Sequence, residues 1–152
     1  MQIETLKDVL HWTAELHRQL SGCLKHCEDR VVSERAQLLL DYLEQHEDRL
    51  AQVIDRFEEM ASSQALNTWC YEYFDKNPAQ ATMLCDGELD TQDIAVLMAR
   101  ILEQHNLAIE LYRYLFAQSS GGSARELLQN LIDIETHAAM QMSQGGNRLG
   151  GI

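Results

Sequence analysis

Six histidines and twenty-four acidic residues are spread over 152 residues, and what they can do depends on which of them meet. An E-x-H tripeptide occurs four times: "AELH" (Ala14–His17), "LEQH" (Leu43–His46), "LEQH" again (Leu102–His105) and "IETH" (Ile134–His137). Imidazole and carboxylate together make transition-metal donor sets and buried ion pairs. Successive residues on a helix rotate by about 100°, so the Glu and the His of one tripeptide cannot both face the same neighbour. The apolar faces decide which of them turn inward. His17 falls within the arc of Leu6, Leu10, Thr13, Leu20 and Leu24, while Glu15 points out. His46 and Glu47 flank the seam through Leu43 and Leu50, and Glu44 points to solvent. His105 lies near the centre of the face carrying Ile101, Ala108 and Tyr112, opposite Glu103. Glu135 sits amid Leu128, Leu131, Ala138 and Met142, and His137 points away, as His11 and His26 also do.

The unit is therefore not E-x-H but one His and one Glu on consecutive helices. His17 to Glu47 is 30 residues (47 − 17), and His105 to Glu135 is again 30 (135 − 105). At an offset of 88 residues the two halves align without a gap: Glu15/Glu103, His17/His105, Ala36/Ala124, Leu39/Leu127, Leu40/Leu128, Leu43/Leu131 and Glu47/Glu135 coincide. The identical LEQH copies lie 59 apart (102 − 43) and bring nothing else into register. The expected ligand set is His17, Glu47, His105 and Glu135, with His46 a fifth candidate at the same level. Such donors suit a transition metal ion such as Fe, Zn or Mn. Without an ion, two inward carboxylates repel, so at least one is expected to titrate above an ordinary Glu. A polar layer of neutral His against Glu is the other reading of the same residues.

The elements that must position them read as helices over about 3–27, 34–60 and 91–118, with a fourth from "SARE" to about Met142. Ser123 and Glu126 suggest a capping box for that fourth helix. The turns "EDRVVS" and "SSGGS" are short, so each pair forms an antiparallel hairpin. The 61–90 connection is long enough to run the length of the bundle, which makes helices two and three parallel. Within it "ALNTWCYEYF" reads as a short amphipathic helix whose Trp69, Tyr71, Tyr73 and Phe74 cover the bundle. Residues 1–143 form a single all-α domain, and 144–152 a flexible Gly-rich tail.

A charge of −12 with scattered Lys and Arg excludes nucleic acid and anionic membrane surfaces as expected partners. No apolar run approaches the roughly 20 residues of a membrane span, and no basic leader opens the chain, so the expected location is cytoplasmic. Cys23, Cys27, Cys70 and Cys85 contain no CxxC pair and are expected to stay reduced. No nucleophile elbow, phosphate loop or Ser/His/Asp set appears, so no residue is assigned a catalytic role.

The duplicated hairpins, long crossover and inward mid-helix ligands resemble the ferritin-like superfamily, which includes rubrerythrin-type di-iron proteins. That resemblance implies a four-helix bundle, a metal-handling or redox role and a homo-oligomer, with a dimer expected. In the family the first and third helices each give a Glu, and the second and fourth each give Glu-x-x-His. Glu47 and Glu135 match the motif glutamates, but Leu50 and Ala138 stand where the motif histidines belong. His17 and His105 occupy the places of the lone glutamates. The rival expectation is a degenerate, metal-free ferritin-like scaffold acting in protein–protein interaction.

Overall fold

The computed structural model describes residues 4–29, 33–70 and 94–150. These are all-helical: α1 (Leu6–Glu28), α2 (Glu34–Met60), a single turn α3 (Ser63–Leu66), α4 (Ile94–Gln118) and α5 (Gly122–Gly150). The apolar spacing explains the four long helices, because each gains a stripe that must be buried. Their starts are set by local chemistry. Thr5 caps α1 and forms a full capping box with Asp8, which also takes the backbone N–H of Glu4. Ser33 caps α2 through the Ala36 N–H.

Helix α1 packs on α2, α4 on α5, and α2 on α5, while α3 rests on α5 and α1. The residues that meet fix the directions. Arg18 pairs with Asp55 and His11 with Glu58, so α1 and α2 run antiparallel. His46 at the middle of α2 meets Gln141 in the C-terminal half of α5, and Met60 at the end of α2 shares a hollow with Leu127 near the start of α5, so α2 and α5 are antiparallel as well. Arg125 reaches back to the Phe116 and Ser119 carbonyls, closing the α4–α5 turn. Helices α2 and α4 are therefore parallel.

Three expectations are corrected. The crossover helix ends at Leu66, and the chain beyond it pairs in extended form with the segment before α1: Cys70 N–H donates to Glu4 O at 2.7 Å, and Leu6 N–H to Thr68 O at 2.8 Å. Those bonds satisfy backbone groups that a continued helix would have left to water. Trp69 is consequently 64% exposed and does not cover the bundle. Tyr71, Tyr73 and Phe74 lie outside the described residues. Second, α5 begins at Gly122, placing Ser123 inside its first turn instead of at its cap. Third, α5 continues through the Gly-rich stretch to Gly150. A side chain at Gly145 would sit 2.7 Å from Tyr42 Cζ and 2.8 Å from its Oη, so the glycine admits the Tyr42 ring against the helix.

The core is divided. One cluster holds Leu6, Leu10, Leu50, Ile54, Tyr112 and Leu131 among others, and the second holds Leu16, Leu20, Leu24, Leu40, Leu43 and Ile101. Between them, on α1, α2, α4 and α5, lie His17, Glu47, His105 and Glu135, each 0% exposed.

Candidate metal centre

Each of the four long helices supplies one of these buried residues, placed mid-helix by the apolar stripes on both sides. His17 Nδ1–H donates to Glu47 Oε2 at 2.6 Å, and its Nε2–H to Glu135 Oε1 at 2.6 Å. His105 Nε2–H donates to Glu47 Oε1 at 2.5 Å, and its Nδ1 lies 3.3 Å from Glu135 Oε2. That last contact is an ion pair without hydrogen-bond geometry, and both of its atoms lack a hydrogen-bond partner. The imidazole centroids are 5.0 Å apart with planes tilted by 50°. The result is a closed ring in which each histidine bridges both glutamates and each glutamate bridges both histidines.

Ionised carboxylates only accept, so an imidazole between two of them must donate from both nitrogens and carry a charge. The electrostatics agree. Burial opposes charge on His17, yet Glu135 and Glu47 outweigh it and push its pKa up to about 10. Burial likewise opposes charge on His105, and Glu47 brings its pKa up to about 9. Burial alone would raise Glu47, but His105 and His17 outweigh it and hold it down at about 2. Glu135 moves the same way, burial being outweighed first by His17. The expected repulsion between two inward carboxylates is thus corrected: each acid faces imidazoles, and both stay ionised. Two positive and two negative groups leave the buried layer with no net charge.

His46 stands apart from this ring. It is half-buried and turned toward α5, where its Nε2 meets Gln141 Oε1 at 3.1 Å. Burial, ahead of its bond to Gln141, lowers its pKa. One rotation step from Glu47 carries it around the helix and into a groove of about 600 Å³ shared with Arg49, Asp133 and His137. His11, His26 and His137 are all exposed.

One ligand atom each from His17, His105 and Glu135 lie within 4.8 Å of one another, close enough to share an ion, and Glu47 closes onto both histidines. The donor set fits such an ion chemically. A metal-bound histidine commonly gives its second N–H to a carboxylate, and here each imidazole has a carboxylate at both nitrogens. The same residues already balance one another's charge without an ion, although His105 Nδ1 and Glu135 Oε2 make no hydrogen bond.

Sequence reasoning passed over two buried polar neighbours, Thr13 and Tyr112. Both lie on apolar helix faces in the sequence, and their hydroxyls are the signal that singles them out. Among the cysteines, Cys23 is disulfide-bonded, correcting the expectation of four reduced thiols; Cys27 and Cys70 are free, and Cys85 lies outside the described residues. Among the described residues no helix is long and apolar enough to cross a membrane.

No family model matches this chain, and neither a curated protein nor a solved structure matches it.

Proposed function

We propose that this chain is a ferritin-like four-helix protein that holds one divalent transition-metal ion, Fe, Zn or Mn, at His17, Glu47, His105 and Glu135. The observation that carries the reading is the convergence of two imidazoles and two carboxylates, one per long helix, at a single fully buried level. Buried carboxylates are rare unless paired or metal-bound, and four ionisable groups are an expensive way to fill a core.

Charge balance sets the number of ions. The ring carries two removable protons, one on each imidazole, and a divalent ion replaces them without changing the net charge of the layer. Two divalent ions would leave the layer with a charge of about +2, which burial disfavours. The chain's own residues hold the ion, keep bulk solvent from the site and orient each imidazole through the carboxylate at its other nitrogen. An ion so held would supply Lewis-acid or redox chemistry according to its identity. His46, facing the groove, is no ligand in this reading.

The ion pairs that the ring makes without a metal favour a second reading, a metal-free ferritin-like scaffold in which His17, Glu47, His105 and Glu135 form a structural ion layer and the bundle serves protein–protein contact. The two readings part on proton release. In the metal reading, titrating apoprotein with Zn(II) in buffers of different ionisation enthalpy reveals about two protons released per bound ion. Absence of binding heat and of proton release leaves the scaffold reading standing.

A further inference from the structure

The ring has two unlike ends. At the 88-residue offset, Tyr112 is the counterpart of Leu24 (112 − 24) and Ile101 the counterpart of Thr13 (101 − 13). Leu24 and Ile101 belong to one core cluster, so that end of the layer is closed by hydrocarbon. Tyr112 belongs to the other cluster, with Ala14, Ala108 and Ala138. The duplication would have placed equivalent residues at both ends. Here one end carries two hydroxyls instead.

Those hydroxyls do not complete the local hydrogen bonding. Thr13 Oγ1 donates to Leu10 O at 3.2 Å. Tyr112 is fully buried, lies beside Thr13 and feels the Glu135 carboxylate, yet its Oη has no hydrogen-bond partner. Glu135 Oε2 and His105 Nδ1, 3.3 Å apart, are also without one. A hydroxyl donor, an N–H donor and a carboxylate acceptor, all buried and unmatched around Glu135, call for something that can both give and accept. Buried polar atoms are nearly always satisfied, and ordered water that makes two to four bonds is the usual means.

We propose that the Tyr112 end of the ring is a buried subsite for one water-sized hydroxylic molecule, held by Tyr112 Oη, Glu135 Oε2 and His105 Nδ1. The subsite needs only the ring itself. Its extension, that a small exchangeable molecule sits on the Tyr112 side of a bound ion, rests on the metal reading above.

The test uses full-length, chelator-treated protein and water as the probe. Oxygen-17 magnetic relaxation dispersion counts long-lived internal waters, and the wild type is expected to show one that Tyr112→Phe lacks. The melting temperature gives an independent sign. If the site is occupied, Tyr112→Phe strips a partner from the bound molecule and the melting temperature falls. If the hydroxyl is simply an orphan, its removal raises the melting temperature. An unchanged water count or a higher melting temperature overturns the proposal. Cobalt(II) uptake, read by visible absorbance, separates the two readings: Tyr112→Phe is expected to match the wild type within about twofold, since Tyr112 is not among the ligands. Loss of cobalt by the variant alone makes Tyr112 a ligand and overturns the subsite. Failure of the wild type to take cobalt removes the metal reading, and the relaxation result then decides the subsite by itself.

Discussion

His17 meets both acids, and so the chemistry of the layer turns on it. Its two N–H donors are matched by two carboxylates, so removing either acid leaves a buried charge without its counterpart. Glu47→Gln in metal-free protein is expected to cost about 3–5 kcal/mol, measured by denaturant unfolding. Replacing all four ring residues together with apolar residues of similar volume is expected to be neutral or stabilising, because no uncompensated charge remains. His137→Gln, at an exposed position, is expected to change stability by less than about 0.5 kcal/mol.

The same couplings fix a pH profile for the apoprotein. The His17 and His105 pKa values, about 10 and about 9, exceed their ordinary 6.5, so their contribution is complete below 6.5 and is lost as pH rises through 9 to 10. Glu47, at about 2, lies below its ordinary 4.5, so its contribution is complete above 4.5 and is lost as pH falls toward 2; Glu135 adds in the same direction. Apoprotein stability is expected to peak between about pH 4.5 and 6.5 and fall on both sides. A melting temperature that climbs steadily to pH 9 would show that the imidazoles are not charged in the folded chain.

At the scale of elements, the apolar stripes told most of the story, because a side chain's direction follows from rotation along a helix that tertiary packing then uses. The inward placement of His17, Glu47, His105 and Glu135 was legible for that reason. His46 was not, since a residue flanking the seam is turned by its neighbours: here Gln141 draws it into the α2–α5 groove. Caps were harder. Thr5 and Asp8 form the box at α1, whereas Ser123 and Glu126, equally suggestive in sequence, sit past the start of α5. The extended pairing of Cys70 with Glu4 depends on segments 66 residues apart (70 − 4), which local periodicity does not encode. Thr5→Ala is expected to cost about 0.5–2 kcal/mol by thermal unfolding, since it removes the cap and the partner of the Asp8 N–H.

Across the whole molecule, a charged layer separates two hydrophobic clusters, and all four long helices enter it. The 30-residue spacing from His17 to Glu47, repeated from His105 to Glu135, made the level of that layer readable before any coordinates. It did not reveal that the acids pair with imidazoles instead of repelling, because charge state depends on who faces whom at atomic distance. Anything that binds the folded layer and not the unfolded chain stabilises the whole bundle by mass action. At a free ion concentration about 100 times the dissociation constant the gain is about 2.7 kcal/mol, visible as a raised melting temperature. The central claim is that these four residues are one ion-holding site. Elemental analysis of untagged protein, reconstituted with Fe, Zn or Mn and freed of loose ions, tests it most directly. The account predicts about one ion per chain, lost in His17→Ala and kept in His137→Gln. Metal content near zero after reconstitution, or content unaffected by His17→Ala, would contradict it.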